Sequence, residues 1–307
     1  MTAFLFPGQG SQAPGMAADL YEIPEARALL DEADDVLGFS LTELMFGDDA
    51  DALKPTEITQ PALFAHSMAA NAALNARGLR ADLAAGHSLG EWSALAAVGA
   101  MSFADGLRAV RRRGELMAQA GDVRPGAMSA VLGLDADALD GVCIEATEAG
   151  EGEVVPANYN DPGQIVISGD GPAVERAGTM ASEAGARRVV PLPVSGAFHS
   201  PLMAFAQDGL AETLDALDIT APDCPVVLNV TAEPTTDPDE IRRRLLDQLT
   251  APVRWAQSVS RMQAEGAERF VEVGTGKVLS GLVRRTLGRD AETAQAGTAA
   301  EIDALAG

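Results

Sequence analysis

The segment Gly86-His87-Ser88-Leu89-Gly90 constrains this chain more than any other, because it sets a serine between glycines where one kind of apolar run gives way to another. Residues 83–87 are short and apolar, as a buried strand is, and residues 89–98 are rich in alanine and leucine, as a helix is. The flanking glycines permit the sharp turn that lifts a hydroxyl out of a strand-to-helix junction, the geometry of a nucleophile elbow. Such a junction needs a buried strand with helices packed over its sheet, which points to an α/β fold. G-x-S-x-G alone is not a rare string, and a serine in an ordinary glycine-containing turn is the plainer alternative. The strand before it and the helix after it favour the nucleophile. That helix would also aim the positive end of its dipole at an oxyanion forming beside the serine.

The rest of the chain keeps the alternation of strands and helices. Residues 3–6 read as a buried strand ending in the glycine-rich turn Pro7-Gly8-Gln9-Gly10-Ser11-Gln12, and helices follow to about Phe46. Thr59-Gln60-Pro61 reads as a helix start, a capping threonine and then a proline whose missing N–H costs nothing in the first turn; this helix stops at Gly78. Another helix covers 103–120. From Ala127 the pattern becomes strand (127–134), helix (137–148), strand (153–159), a turn at Asn160-Asp161-Pro162-Gly163, strand (164–168), helix (172–184) and strand (187–194). That order, βαββαβ, is the ferredoxin-like unit, expected here as a compact subdomain inserted into a larger α/β body. Strands near 226–230 and 269–273, each followed by a helix, resume the α/β pattern. There is no internal repeat, no long linker and no Asp-Ser-Leu, the usual pantetheine attachment signature of a carrier domain.

With 307 residues the chain can form one large α/β domain or one domain carrying a smaller insert. Its net charge of −23 argues against nucleic acid as a partner, since phosphates need a basic surface. Lysine occurs only at Lys54 and Lys277, and arginine supplies the remaining positive charge. Two readings account for this balance. One is a GC-rich genome, which favours arginine; the other is salt adaptation, in which high salt screens the repulsion of an acidic surface. Cys143 and Cys224 lie far apart without metal-ligand spacing, which disfavours a disulfide framework or a zinc site. The N-terminus lacks the basic run of a signal peptide, and the uncharged stretch 92–104 is too short to span a bilayer and is broken by Gly99. The expectations are a monomer in the cytoplasm, without membrane association and without a metal or nucleotide cofactor.

A serine nucleophile needs a base, and there are three histidines. His87 adjoins Ser88, so at a sharp turn its side chain should point away from the hydroxyl. His66 lies mid-helix on the stripe of Leu63 and Ala70 and reads as a core or boundary residue. His199, in Val194-Ser195-Gly196-Ala197-Phe198-His199-Ser200, falls in a loop at the exit of the inserted unit, where catalytic groups concentrate. Elimination makes His199 the base.

Further segments extend the pattern: Phe6-Pro7-Gly8-Gln9-Gly10-Ser11-Gln12, Thr59-Gln60-Pro61-Ala62-Leu63, Gly86-His87-Ser88-Leu89-Gly90-Glu91, Arg113-Gly114, Ala157-Asn158-Tyr159-Asn160, Gly196-Ala197-Phe198-His199-Ser200, Ala251-Pro252-Val253-Arg254-Trp255 and Glu272-Val273-Gly274-Thr275-Gly276-Lys277. In this order, over nearly the whole chain, they resemble the malonyl-CoA:acyl carrier protein transacylases and the related acyltransferase domains of polyketide synthases. The resemblance implies an α/β-hydrolase-like body (1–125 and 196–307) with an inserted ferredoxin-like subdomain (126–195). It implies transfer of a malonyl group from malonyl-CoA to the pantetheine arm of an acyl carrier protein, by a Ser–His dyad rather than a triad. By this match Ser88 is the nucleophile and His199 the base, oriented by the backbone carbonyl of Gln248. The backbone amides of Gln9 and Leu89 match the oxyanion hole, and Arg113 matches the partner of the malonyl carboxylate.

The residues alone do not choose among Arg111, Arg112 and Arg113; the Arg-Gly match does. Gln60 reads either as a pocket residue or as part of a helix start, and Asn158 and Asn160 either as cleft residues or as parts of the turn before Pro162. Thr275 stands where the family commonly has proline and reads as a tolerated turn change. Leu89 and Phe198 resemble the malonyl-selective pattern, against the alternative of another extender such as methylmalonyl. A serine hydrolase of the α/β type is disfavoured by Arg113, and a non-catalytic carrier-binding module by Ser88 and His199 together. Lys277, Arg284 and Arg285 are candidates for carrier docking, as clustered basic residues in an acidic chain. Fatty acid and polyketide synthesis use the same transfer.

Overall fold

A computed structural model describes residues 1–150, 152–194 and 196–307; Glu151 and Ser195, and with Ser195 the expected boundary at 195, lie outside the described residues. In chain order the strands are β1 (Thr2–Phe6), β2 (Leu83–Gly86), β3 (Ala127–Leu132), β4 (Val154–Asp161), β5 (Gln164–Gly169), β6 (Arg188–Pro191), β7 (Val226–Val227), β8 (Pro234–Thr235), β9 (Arg269–Val273) and β10 (Glu292–Ala296). Six of them form one sheet in the order β10-β9-β1-β2-β7-β8, parallel throughout except for the β7–β8 pair. Helices cover both faces, so the inner strands carry apolar residues on both sides. Phe4 and Phe6 of β1 join Leu30, Phe64 and Trp92 in one core, while Ala3 and Leu5 join Trp255, Val259 and Leu282 in the other.

The second sheet, β4-β5-β3-β6, is antiparallel at every pairing. Counted within the segment, its order is 2-3-1-4, the ferredoxin-like arrangement expected from βαββαβ. Val131, Ile165 and Ile167 pack with the helices Ala136–Glu148 and Gly171–Glu183 in a small core of their own. The alternate residues Met128, Ala130 and Val166 belong to the large core, so this sheet is sandwiched between its own helices and the body.

Several elements depart from the sequence expectation. The helix expected to start at Thr59 spans Thr56–Ala76, with Pro55 as its cap and Pro61 inside it. Thr59 is not a cap; its hydroxyl donates to the Leu53 and Pro55 carbonyls. Pro61 cannot donate to Glu57 four residues back, and the Nη1 of Arg111 donates to that Glu57 carbonyl instead, at 2.7 Å. β4 runs on through Asp161, which leaves only Pro162 and Gly163 to turn into β5. The strand near 226–230 ends at Val227, because Leu228 and Asn229 leave the ladder. β10 went unanticipated, since Glu-Thr-Ala-Gln-Ala on a sheet edge offers no apolar run.

Candidate active site

β2 ends at Gly86, and the helix Leu89–Ala97 begins immediately after Ser88. Ser88 occupies φ 52°, ψ −107°, a conformation a non-glycine residue holds only when its surroundings impose it, at about 1–3 kcal/mol. The glycines are there for close approach. A Cβ on Gly86 would lie 1.9 Å from the Gly90 carbonyl, and one on Gly90 would lie 1.9 Å from the Phe6 carbonyl oxygen. Gly8 rests on the elbow in the same way, its notional Cβ 2.3 Å from the His87 oxygen, which brings the Gln9 loop beside Ser88.

Ser88 Oγ lies 2.7 Å from Nε2 of His199. The other ring nitrogen of His199, Nδ1, lies 2.9 Å from the backbone carbonyl of Gln248. A carbonyl only accepts, so Nδ1 carries the proton and Nε2 presents its lone pair to the serine hydroxyl. Burial first, and the Arg113 charge second, push the His199 imidazole down to about 3, so it is neutral across the physiological range.

Arg113 is the third group at the hydroxyl, with Nη2 3.2 Å from Ser88 Oγ. Arg113 as a whole is 1% exposed, and its guanidinium is held by two carboxamide oxygens, Gln60 Oε1 at 2.8 Å from Nη1 and Gln248 Oε1 at 2.9 Å from Nη2. Burial lowers its pKa to about 10, well above any working pH, so it is a fixed buried cation. Its Nε has no partner among the described residues, and a buried guanidinium with an unused donor suits an anionic ligand. The neighbours are different. Arg111 and Arg112 sit on the outer side of the Phe103–Val123 helix and pair with Glu115. Gly114 explains the motif: its notional Cβ would lie 2.8 Å from Glu57 Cα, so glycine lets this helix press on Thr56–Ala76 and brings Arg113 within reach of Gln60.

These groups open on a chamber of ≈ 120 Å³ lined by Gln9, Ser88, Leu89, Arg113, Phe198 and His199, with Met117, Met128, Asn158, Leu192 and Val194 as further walls. Among the described residues the backbone amides of Gln9 and Leu89 have no protein acceptor, so both remain available to a ligand oxygen. A larger groove of ≈ 790 Å³ near Tyr159, Arg254 and Arg261 is lined by none of Ser88, His199 and Arg113.

The sequence candidates therefore mostly converge. Gln60 and Gln248 contact Arg113, and Asn158 and Phe198 line the chamber. Asn160 stands one step back, its Oδ1 2.8 Å from Nε2 of His87, whose ring is thus turned to β4 and to Trp255. His66 is a buried core residue, its Nε2 2.8 Å from the Gly297 carbonyl. Of the basic residues singled out for docking, Lys277 and Arg284 are exposed, Arg285 pairs with Asp161, and none lines the chamber. Asn229 and Glu91 were not singled out. The Asn229 Oδ1 accepts from the Ser88 amide at 2.7 Å, and its own backbone N–H donates to Glu91 Oε2 at 2.7 Å.

Comparison with known proteins matches residues 3–302 to the acyl transferase domain. The chain belongs to the acyl transferase family. A malonyl CoA-acyl carrier protein transacylase of Bacillus subtilis (strain 168) is 50% identical over 285 residues, covering 92% of this chain and 89% of that protein. The crystal structure of an acyl carrier protein S-malonyltransferase from Vibrio cholerae superposes with a TM-score of 0.94 at 44% identity, over 99% of each chain. Another structure of this family, a malonyl-transacylase in complex with a type II polyketide-synthase acyl carrier protein, superposes with a TM-score of 0.93 at 40% identity, over 98% of this chain and 97% of that one. An acyl transferase fold of α/β-hydrolase-like body and ferredoxin-like insert is thus shared along the whole chain. Among the described residues no helix is long and apolar enough to cross a membrane.

Proposed function

We propose that the chain moves the malonyl group of malonyl-CoA to the phosphopantetheine thiol of an acyl carrier protein through a malonyl ester on Ser88. One observation carries the reading: a single hydroxyl, Ser88 Oγ, meets an imidazole lone pair at 2.7 Å and a buried guanidinium at 3.2 Å. A base beside the nucleophile and a fixed cation for a free carboxylate are what a dicarboxylic acyl group requires. The names of the relatives, and the solved complex with a carrier protein, support the same substrate and partner.

In the first half-reaction Ser88 Oγ attacks the thioester carbon while its proton passes to His199 Nε2. The Gln9 and Leu89 amides donate to the oxyanion, an effect worth about 3 kcal/mol per donor in other acyl-transfer enzymes. The C–S bond then breaks, and Nε2 returns the proton to the coenzyme A thiolate. In the second half-reaction the pantetheine thiol gives its proton to Nε2 and attacks the ester carbon, and Oγ leaves and recovers that proton. Arg113 binds the malonyl carboxylate, with Gln60 and Gln248 holding the guanidinium in place. Because Arg113 is one cause of the low His199 pKa, a carboxylate that neutralises it strengthens the base as the substrate arrives. Phe198 crowds a branch at malonyl C2, Asn158 walls the chamber, and Asn160 acts through His87. We propose the division into 1–125 with 196–307 as catalytic body and 126–195 as insert, and a cytoplasmic location.

Intact mass with malonyl-CoA alone tests the intermediate. The wild type should gain one malonyl group, Ser88→Ala none, and His199→Ala should acylate far more slowly; an adduct that persists in Ser88→Ala moves the nucleophile elsewhere. Arg113→Ala should lose malonyl kcat/KM by about two to three orders of magnitude, as expected for breaking a buried ion pair, while acetyl transfer is spared. Equal losses on both acyl groups would reduce Arg113 to a support of the fold.

A further inference from the structure

The ladder between β2 and β7 stops at Ala85↔Val227, short of the elbow. In a parallel pair the next groups along β2 would bond to peptide groups of the neighbouring strand. That neighbour has already turned, with Leu228 accepting from Ala232 at 2.8 Å and Asn229 in the turn itself. The side chain of Asn229 stands where the missing peptide would be. Its Oδ1 accepts from the Ser88 N–H at 2.7 Å, and its Nδ2 donates to the Gly86 carbonyl at 2.7 Å. A carboxamide has the planar donor and acceptor of a peptide group, so it can extend a ladder that the main chain has left.

The mimic is rigidly held. Asn229 is 0% exposed, its N–H donates to Glu91 Oε2 at 2.7 Å, and its carbonyl accepts from the Arg254 N–H at 2.9 Å. Gln248 Nε2 adds a long contact to Oδ1 at 3.4 Å and donates to the Ser88 carbonyl at 3.0 Å. The peptide groups on both sides of Ser88 are therefore clamped by side chains from one stretch, 229–248. A buried N–H without a partner is costly enough to drive a strained residue to turn in search of one. Turning the Ser88 peptide would swing Oγ away from His199 and reorient the adjoining Leu89 amide.

We propose that Asn229 is a positioning residue for acyl transfer, whose carboxamide holds the elbow so that Ser88 Oγ faces His199 while the Leu89 amide stays free for the oxyanion. The proposal rests on Ser88 being the nucleophile, so peptide mapping of the malonylated wild type comes first; an ester on another residue removes that reading and leaves the Asn229 geometry untouched. Single-turnover acylation of the full chain by malonyl-CoA is then followed in Asn229→Ala and in Asn229→Leu, which refills the volume without either hydrogen bond. Three quantities are read: the fraction of chains acylated at completion, the saturating rate constant and the half-saturating malonyl-CoA concentration. The expected result is near-complete acylation, half-saturation within about threefold of wild type and a rate constant about 10²-fold lower in both variants, as for a nucleophile displaced by about 1 Å. A wild-type rate constant in the chains that do react, with only the reactive fraction reduced, would make Asn229 a folding residue and overturn the proposal. Recovery of the rate in Asn229→Leu would do the same, because packing alone would then suffice.

Discussion

Glu91 sits in the first turn of the helix that starts after Ser88, fully buried, one oxygen accepting from Asn229 and the other without a partner among the described residues. Burial pushes its carboxyl up from 4.5 to about 7, although the Asn229 amide and the Arg113 charge both pull the other way. A folded pKa above the unfolded one means that stability from this group is complete below pH 4.5 and is lost as pH rises to about 7, on the order of 3 kcal/mol in all. Glu91→Gln keeps an acceptor for Asn229 and removes the titration. Its stability relative to wild type, from urea unfolding at a series of pH values, should therefore climb between pH 4.5 and 7 and be flat on either side. The buried histidines, with depressed pKa values, act with the opposite sign in both proteins and cancel in the difference. A difference that stays level across the window would mean that Arg113 keeps Glu91 an ordinary carboxylate. At this scale the sequence was legible where residue types are scarce or geometry is demanding. Three histidines could be sorted by context, and G-x-S-x-G needs its glycines because a Cβ on either would fall within 2 Å of neighbouring backbone. Arg113 could not be told from Arg111 and Arg112, since a helix face shows its neighbours only after packing. Asn229 carried no signal, because an asparagine at a turn is ordinary until its carboxamide meets an elbow far away in the chain.

Among the elements, the helix Thr56–Ala76 shows how a local rule can be sound and misapplied. Threonine and proline do mark helix starts, but here a proline inside the helix is tolerated because Arg111 satisfies the Glu57 carbonyl it abandons. Sequence order offered no means of pairing Pro61 with an arginine on another helix. Arg111→Ala should leave that carbonyl short of a partner and cost about 1–2 kcal/mol, a fall in Tm of several degrees. In a Pro61→Ala background, where the substituted residue regains the helical N–H, the same substitution should cost much less. A double-mutant cycle with no coupling would show that Arg111 acts through Glu115 instead. The βαββαβ unit was readable because its short strand-like segments are separated by turns and two clear helices, whereas β7 was read too long, only two of its residues staying in the ladder, and β10 was missed because it is polar.

For the whole molecule the dominant quantity is charge. Its ion pairs, such as Lys54–Asp51, Arg108–Asp105 and Arg261–Glu265, are largely exposed, and such pairs are worth about 0–1 kcal/mol each. Salt therefore has little attraction to screen away and the repulsion of a net −23 to relieve. The Tm should rise between dilute buffer and molar potassium chloride; a midpoint indifferent to salt would favour a GC-rich genome as the origin of the arginine. The layout of the chamber has a different consequence. Ser88, His199 and Arg113 all come from segments around the parallel sheet, whereas Met128, Asn158, Leu192 and Val194 come from the antiparallel sheet and its exit. Tool and one side of the mould are thus separate castings. Drift in the antiparallel sheet can reshape that wall of the chamber, and so the acyl groups it admits, without moving the segments that carry Ser88, His199 and Arg113, which makes this a scaffold open to new substrates.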